Sequence, residues 1–199
     1  MNKTRDSIAA PPVDGPGQQD RFRVRRATAE DLAVIARHRA EMFVEIGTST
    51  PDLIAALESD TRTYLQDAIP SGEYVAWLAH PTGDGSAIVA GAGVQVRRKL
   101  PFPRLHADGT CDVAAGREAI VLNVYTERAY RRRGIARSLM YEILAWAKSV
   151  ELESLVLHAA PDGRPLYESL GFVPTNEMRF AGDLIAWRHP ELARNERSR

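Results

Sequence analysis

The apolar run Ala119-Ile120-Val121-Leu122-Asn123-Val124-Tyr125-Thr126 gives way to the charged turn Arg131-Arg132-Arg133-Gly134, and then to a segment with helical periodicity. No other succession in the chain constrains the fold as much. The run predicts a buried β-strand. Beyond the turn, Ile135, Leu139, Ile143, Trp146 and Val150 recur every three or four positions, the spacing that gathers side chains on one helical face. A strand feeding a helix in this way builds an anion site. The first N–H groups of a helix have no acceptor within it and lie at the positive end of its dipole. Gly134 lets backbone approach a ligand closely, and Arg131, Arg132 and Arg133 add positive charge. The expected guest is a phosphate or pyrophosphate. The turn is not a P-loop, because G-x-x-x-x-G-K-[ST] is absent. Gly134 also lacks the second glycine that a G-x-G-x-x-G dinucleotide loop needs.

Charge favours a small anion over a nucleic acid. The chain holds 26 Lys+Arg against 26 Asp+Glu, without the basic excess typical of nucleic-acid binders. Its 199 residues and 44% hydrophobic content suit one compact domain with a sizeable core. The single cysteine, Cys111, excludes an intrachain disulfide and a multi-cysteine zinc site, and no metal is expected. The N-terminus has no apolar signal-peptide core, and no run approaches the roughly 18 apolar residues of a membrane span. Cytoplasmic residence without membrane association follows as an expectation.

Residues 1–20, rich in Pro, Gly, Asp and Gln, read as a disordered leader. Phe22–Arg26 alternates as a first strand, and Thr28 is placed as N-cap of a helix in a capping-box-like start. On that helix Leu32, Ile35, Ala36, Met42, Phe43 and Ile46 are assigned inward, with Arg37, His38, Glu41 and Glu45 on a solvated face; substrate contact by these four is the less favoured reading. Thr50-Pro51 opens a second helix, expected to end before Pro70. Two strands, Tyr74–Ala79 and Ala87–Val96, are joined by a hairpin turn, and Gly91 and Gly93 suggest a bulge or a close neighbour. Residues Lys99–Arg117 show no period and are taken as a loop, either a candidate substrate loop or an ordinary excursion. A strand at Ser154–His158, a helix at Pro161–Leu170 and a last strand within Val173–Phe180 complete a domain over residues 21–181. Residues 182–199 form a charged tail. The order is that of an α+β fold with a mixed sheet.

The six residues Arg131-Arg132-Arg133-Gly134-Ile135-Ala136 resemble motif A of the GNAT acetyltransferase superfamily, [QR]-x-x-G-x-[GA]. Leu166-Tyr167-Glu168-Ser169-Leu170-Gly171-Phe172 resembles its motif B, L-Y-x-x-x-G-F. The two stand in the family's order and at its spacing, and the resemblance covers roughly Arg23–Phe180. It implies a GNAT-like α+β fold with a mixed, mostly antiparallel central sheet flanked by helices. It also implies acetyl-CoA as cosubstrate, its pyrophosphate on Arg131–Ala136 and its pantetheine arm along Val124, Tyr125 and Thr126. The implied activity is N-acetyl transfer to a primary amine on a small molecule or peptide, and a homodimer is compatible with the family. A non-catalytic acyl-CoA-binding or regulatory module on the same fold is the alternative.

Acetyl transfer to an amine requires a polarised thioester carbonyl, an amine free of its extra proton, and a proton for the departing thiolate. By resemblance, a backbone N–H near Tyr125 or Thr126 meets the carbonyl oxygen, and Tyr167 matches the family tyrosine that protonates the thiolate. Glu118, at the start of the motif A strand, has the chemistry of a general base; a hydrated strand-end glutamate is the competing reading. Asn123 can orient water or substrate, and His158 titrates near neutrality. Two positions depart from the common pattern: Ala160 where many members carry Asn, and Arg128 where many carry Pro.

Overall fold

The computed structural model describes residues 21–178 apart from 48, 49, 107 and 176. The expected leader and the charged tail lie outside the described residues. In chain order the elements are β1 (Phe22–Arg26), α1 (Leu32–Ile46), α2 (Pro51–Ser71), β2 (Tyr74–Pro81), β3 (Ala90–Arg98), β4 (Phe102–Leu105), β5 (Cys111–Ala114), β6 (Arg117–Thr126), α3 (Ile135–Ser149), β7 (Ser154–Leu157) and α4 (Arg164–Ser169). A five-stranded sheet runs β1-β2-β3-β6-β7. Its pairs are antiparallel except β6–β7, which is parallel. The expected mixed, mostly antiparallel α+β architecture is what forms.

Strand β2 shows why the sheet is buried on both faces. Val75, Trp77 and Ala79 join Val94, Val121, Leu139 and Ile143 in the core beneath α3. The intervening Tyr74, Ala76 and Leu78 join Ile35, Leu65 and Ala68 in the core beneath α1 and α2. The period of two sends alternate residues to opposite faces. A helix layer on each side therefore leaves no polar strand face.

Several expectations shift. Residues Lys99–Arg117 are not a plain loop: β4 and β5 pair antiparallel, Phe102 opposite Ala114 and Leu105 opposite Cys111. Strands this short, with Pro103 in one of them, leave no periodic signal. Helix α2 passes through Pro70 and ends at Gly72, which has φ 76°. A proline in the last turn forfeits one hydrogen bond and does not break the helix. On α1 the inward face is rotated from its expected place. His38 is buried, packed against Tyr125 of β6, while Ile46 is 56% exposed. No strand forms at Val173–Thr175, Glu177 or Met178. Pro174 removes a ladder donor there, and the remaining positions of that expected strand lie outside the described residues.

Candidate active site

Strands β6 and β7 pair only from Glu118 opposite Ser154 to Val121 opposite Leu157. Strand β6 then continues from Leu122 to Thr126 without β7 beside it, so the two strands splay. The other neighbour of β6 loosens at the same level. On β3, Gly91 faces Tyr125 while Gly93 faces Leu122, a register shift that marks a bulge. Asn123 sits in this bulge with φ 56°, a left-handed conformation that asparagine tolerates better than most side chains and that a local constraint holds here. Its side chain supplies that constraint: Asn123 Nδ2 donates to Tyr74 Oη at 2.9 Å, and Arg39 Nη1 donates to Asn123 Oδ1 at 2.6 Å. Gly93 is required opposite, since a Cβ there would fall within the Tyr74 phenol. A bulge takes backbone groups out of the ladder. Here it does so where β6 borders the splay.

The splay leads to the turn before α3. Gly134 is the N-cap of α3 at φ 78°, and among the described residues no side chain caps the first N–H groups. The space above its Cα is open. Ile135 is buried in the core beneath α3, so only its backbone faces outward. Arg132 is exposed at φ 61°. The three arginines do not converge as equivalent charges. Arg131 donates to both carboxylate oxygens of Glu45 at 2.7 Å and to the Thr126 carbonyl at 2.8 Å. Arg133 folds back onto the Ala129 carbonyl at 3.0 Å and lies over the Tyr130 ring. Tyr125 is buried against His38, donates to Glu45 at 3.2 Å and packs under the Arg131 guanidinium. Burial, then the Glu41 and Glu45 charges, push its phenol up to about 12.

Tyr167 lies on α4 with its ring edge-on to Phe172, half-buried beside the α3 core. Motif B is a helix stop in atomic detail. Phe172 N–H donates to the Tyr167 carbonyl at 3.0 Å and Gly171 N–H to Glu168 at 3.1 Å, with Gly171 at φ 91°. This is the Schellman pattern, with its usual contact between the residue past the glycine and the residue five before it. The stop fixes the direction of the Tyr167 side chain. Burial raises its phenol above the ordinary value. Across the cleft, Arg137 Nη2 donates to Ser169 Oγ at 3.1 Å and ties the start of α3 to α4.

Glu118 does not sit at the cleft as an available carboxylate. Its side chain is fully buried, with Arg97 Nε at 2.6 Å and the Lys99 ammonium on its other oxygen. Burial alone would raise its pKa, but hydrogen bonds from Lys99, Ser154 and Arg97 outweigh this and hold it below the usual value. A base needs access to the amine, and both Glu118 oxygens are occupied by Arg97 and Lys99. Its position opposite Arg97 in the β3–β6 ladder makes it a cross-strand ion pair.

A model of the GNAT family of acetyltransferases matches residues 36–172. The chain belongs to this family. A GCN5-related N-acetyltransferase from Ralstonia eutropha superimposes with a TM-score of 0.68 at 31% identity, over 81% of this chain and 99% of that one. A predicted acetyltransferase from Clostridium acetobutylicum, solved with acetyl-CoA, gives 0.67 at 21%, over 84% and 99%. The glucosamine-6-phosphate N-acetyltransferase of Arabidopsis thaliana shares the fold, with 0.56 at 13%, over 82% and 98%. No curated protein sequence matches the chain.

Two further groups of residues border this site: Arg39, which the sequence does not single out, and residues of the α1 face that it assigns to substrate contact only as the less favoured reading. Glu45 and Arg39, both on α1, reach Arg131 and Asn123 across 86 and 84 positions. Nothing in the spacing of a helix announces partners so far along the chain. His38, Glu41 and Glu127 present ligand-type atoms within 4.8 Å of one another. That cluster already holds a cation. Arg37 donates to Glu41 at 3.0 Å and to Glu127 at 2.9 Å, and contacts His38 Nε2 at 3.2 Å. A guanidinium cannot accept a hydrogen bond, so the Arg37 contact favours Nε2 of His38 as acceptor, although Glu127 also lies 3.5 Å from it and Nδ1 is buried with no hydrogen-bond partner among the described residues. His158, on the other side, faces Glu177 at 2.9 Å and is exposed.

Proposed function

We propose that this GNAT protein is an acetyl-CoA-dependent N-acetyltransferase that acts on a primary amine. The observation that carries this reading is the splay of β6 from β7 beyond Val121 and Leu157, leading to the uncapped N-terminus of α3 at Gly134. A thioester on a long phosphorylated arm fits that combination. The N–H groups at Gly134, Ile135 and Ala136 would hold the pyrophosphate, with Arg132 and Arg133 adding charge. Arg131, bonded to Glu45 and the Thr126 carbonyl, would brace the turn and leave phosphate contact to its backbone. The free edge at Val124, Tyr125 and Thr126 would carry the pantetheine arm, and a backbone N–H there would polarise the thioester carbonyl.

In the reaction the amine nitrogen attacks the carbonyl carbon. The new C–N bond forms as the C–S bond breaks, the amine loses a proton, and the CoA thiolate takes one. Tyr167 would supply the thiolate's proton, since a half-buried phenol with a raised pKa is protonated at neutral pH. With Glu118 sealed in its ion pair, the amine proton would leave through water. The test is a screen of amine acceptors with acetyl-CoA that reads free thiol and acetylated product together. Acceptor-dependent thiol release supports the reading. CoA binding without transfer to any amine would leave the non-catalytic acyl-CoA module as the better account.

A further inference from the structure

The charges along α1 are matched locally, with one exception. Arg37 is held by Glu41 and Glu127. Glu45 is held by Arg131 and Arg128. Arg39 has no carboxylate partner among the described residues. Its guanidinium is half-buried, lies over the Phe43 ring at 5.1 Å and bonds the neutral amide oxygen of Asn123 at 2.6 Å. A guanidinium carries five N–H donors in a planar fork suited to carboxylate or phosphate. The Phe43 ring and Asn123 hold it in place.

That place is at the proposed reaction centre. Asn123 is in the bulge, beyond the last β6–β7 pair and on the edge that the splay exposes. Tyr125, where a backbone N–H would meet the thioester, is two residues further along β6, on the far side of the bulge. We infer that Arg39 recognises an anionic group on the acceptor. The substrate class is then a small amine that also carries a carboxylate or phosphate. A polyamine or another polycationic acceptor would meet an unmatched positive charge at the mouth of the cleft. This inference rests on the N-acetyltransferase reading for the fate of the amine, but not for the binding of the anion.

The experiment uses matched acceptors: α-amino acids against their α-carboxamides, and amino sugars against their phosphates. Each is added to the enzyme with CoA, and the shift in melting temperature is read. With acetyl-CoA, kcat/KM is read from thiol release. In the wild type at least one anionic acceptor should raise the melting temperature where its neutral twin does not, with a preference of roughly tenfold or more, as expected of one charge-assisted hydrogen-bonded contact. Arg39→Gln should reduce that preference to about twofold or less through the acceptor's KM, with CoA affinity serving as the check on folding. Arg39→Lys should retain part of it. Absence of an anionic preference in every wild-type pair, or its full retention in Arg39→Gln, overturns the inference. A charge-dependent thermal shift without thiol release would uphold the anion site and count against acetyl transfer. Thiol release without charge preference would do the reverse.

Discussion

At the scale of single residues, Tyr167 and Glu118 separate chemistry from architecture. Tyr167→Phe keeps the ring and its packing on Phe172 and removes only the hydroxyl. Stability should change by less than about 1 kcal/mol, since no large cavity is made. Turnover should fall by roughly tenfold or more with CoA affinity retained. Steady-state kinetics beside a CoA titration decides this, and wild-type turnover would make Tyr167 a packing residue. Glu118→Gln should behave in the opposite way. Its partners Arg97 and Lys99 are 44% and 45% exposed, so screening keeps the loss near the low end for charged hydrogen bonds, about 1–2 kcal/mol. The carboxylate is held below its ordinary pKa. Its contribution is therefore complete above the unfolded value near 4.3 and lost as pH falls through the folded one. Denaturation midpoints should show that acid slope in the wild type and lose part of it in the variant, with turnover near wild type. A large drop in turnover at unchanged stability would restore Glu118 as the base.

At the scale of elements, what the sequence revealed depended on how local each signal was. Helix α3 declares itself, because the period of its buried Ile135, Leu139 and Ile143 is internal to it. Motif B is equally local: a helix stop fixed by Gly171 needs only its own neighbours. Gly91 and Gly93 correctly signalled a bulge and a close neighbour, but not that Tyr74 is the neighbour or that Asn123 is the bulged residue. The splay was not legible at all as a matter of residues on β6, because it is set by where the short β7 stops. His38 was misplaced for a related reason. A polar residue on a helix reads as exposed until a ring such as Tyr125 and a cation such as Arg37 are known to enclose it. The bulge can be tested directly. Gly93→Ala would put a Cβ into the Tyr74 phenol, and overpacking of this kind costs about 1–3 kcal/mol. Chemical denaturation should show that loss. Undiminished stability would mean that the Tyr74–Asn123 contact is not what holds the bulge.

At the scale of the whole molecule, the layer of α1 and α2 buries titratable groups against the sheet, and this sets the pH range of stability. Burial first, and then Arg37, hold the pKa of His38 below its ordinary value. The unfolded chain therefore binds a proton at His38 before the folded one does, and stability falls as pH drops below about 6.5. Tyr74 and Tyr125 are pushed up to about 12, chiefly by burial. Stability is lost as pH rises past the unfolded phenol value of about 10. Denaturant midpoints across pH should form a plateau between these limits, and a profile still rising through pH 10 would contradict the buried phenols. The central claim concerns the turn at the head of the splay. Its most direct test is calorimetric titration of the wild type and of Gly134→Glu with CoA, with ATP as the control nucleotide. Gly134 has φ 78° and open space above it. A glutamate there strains the backbone and sets bulk and negative charge where phosphate would touch N–H groups. The account predicts that the wild type binds CoA in preference to ATP, and that a folded Gly134→Glu shows no measurable binding. Unchanged CoA affinity in that folded variant would contradict it.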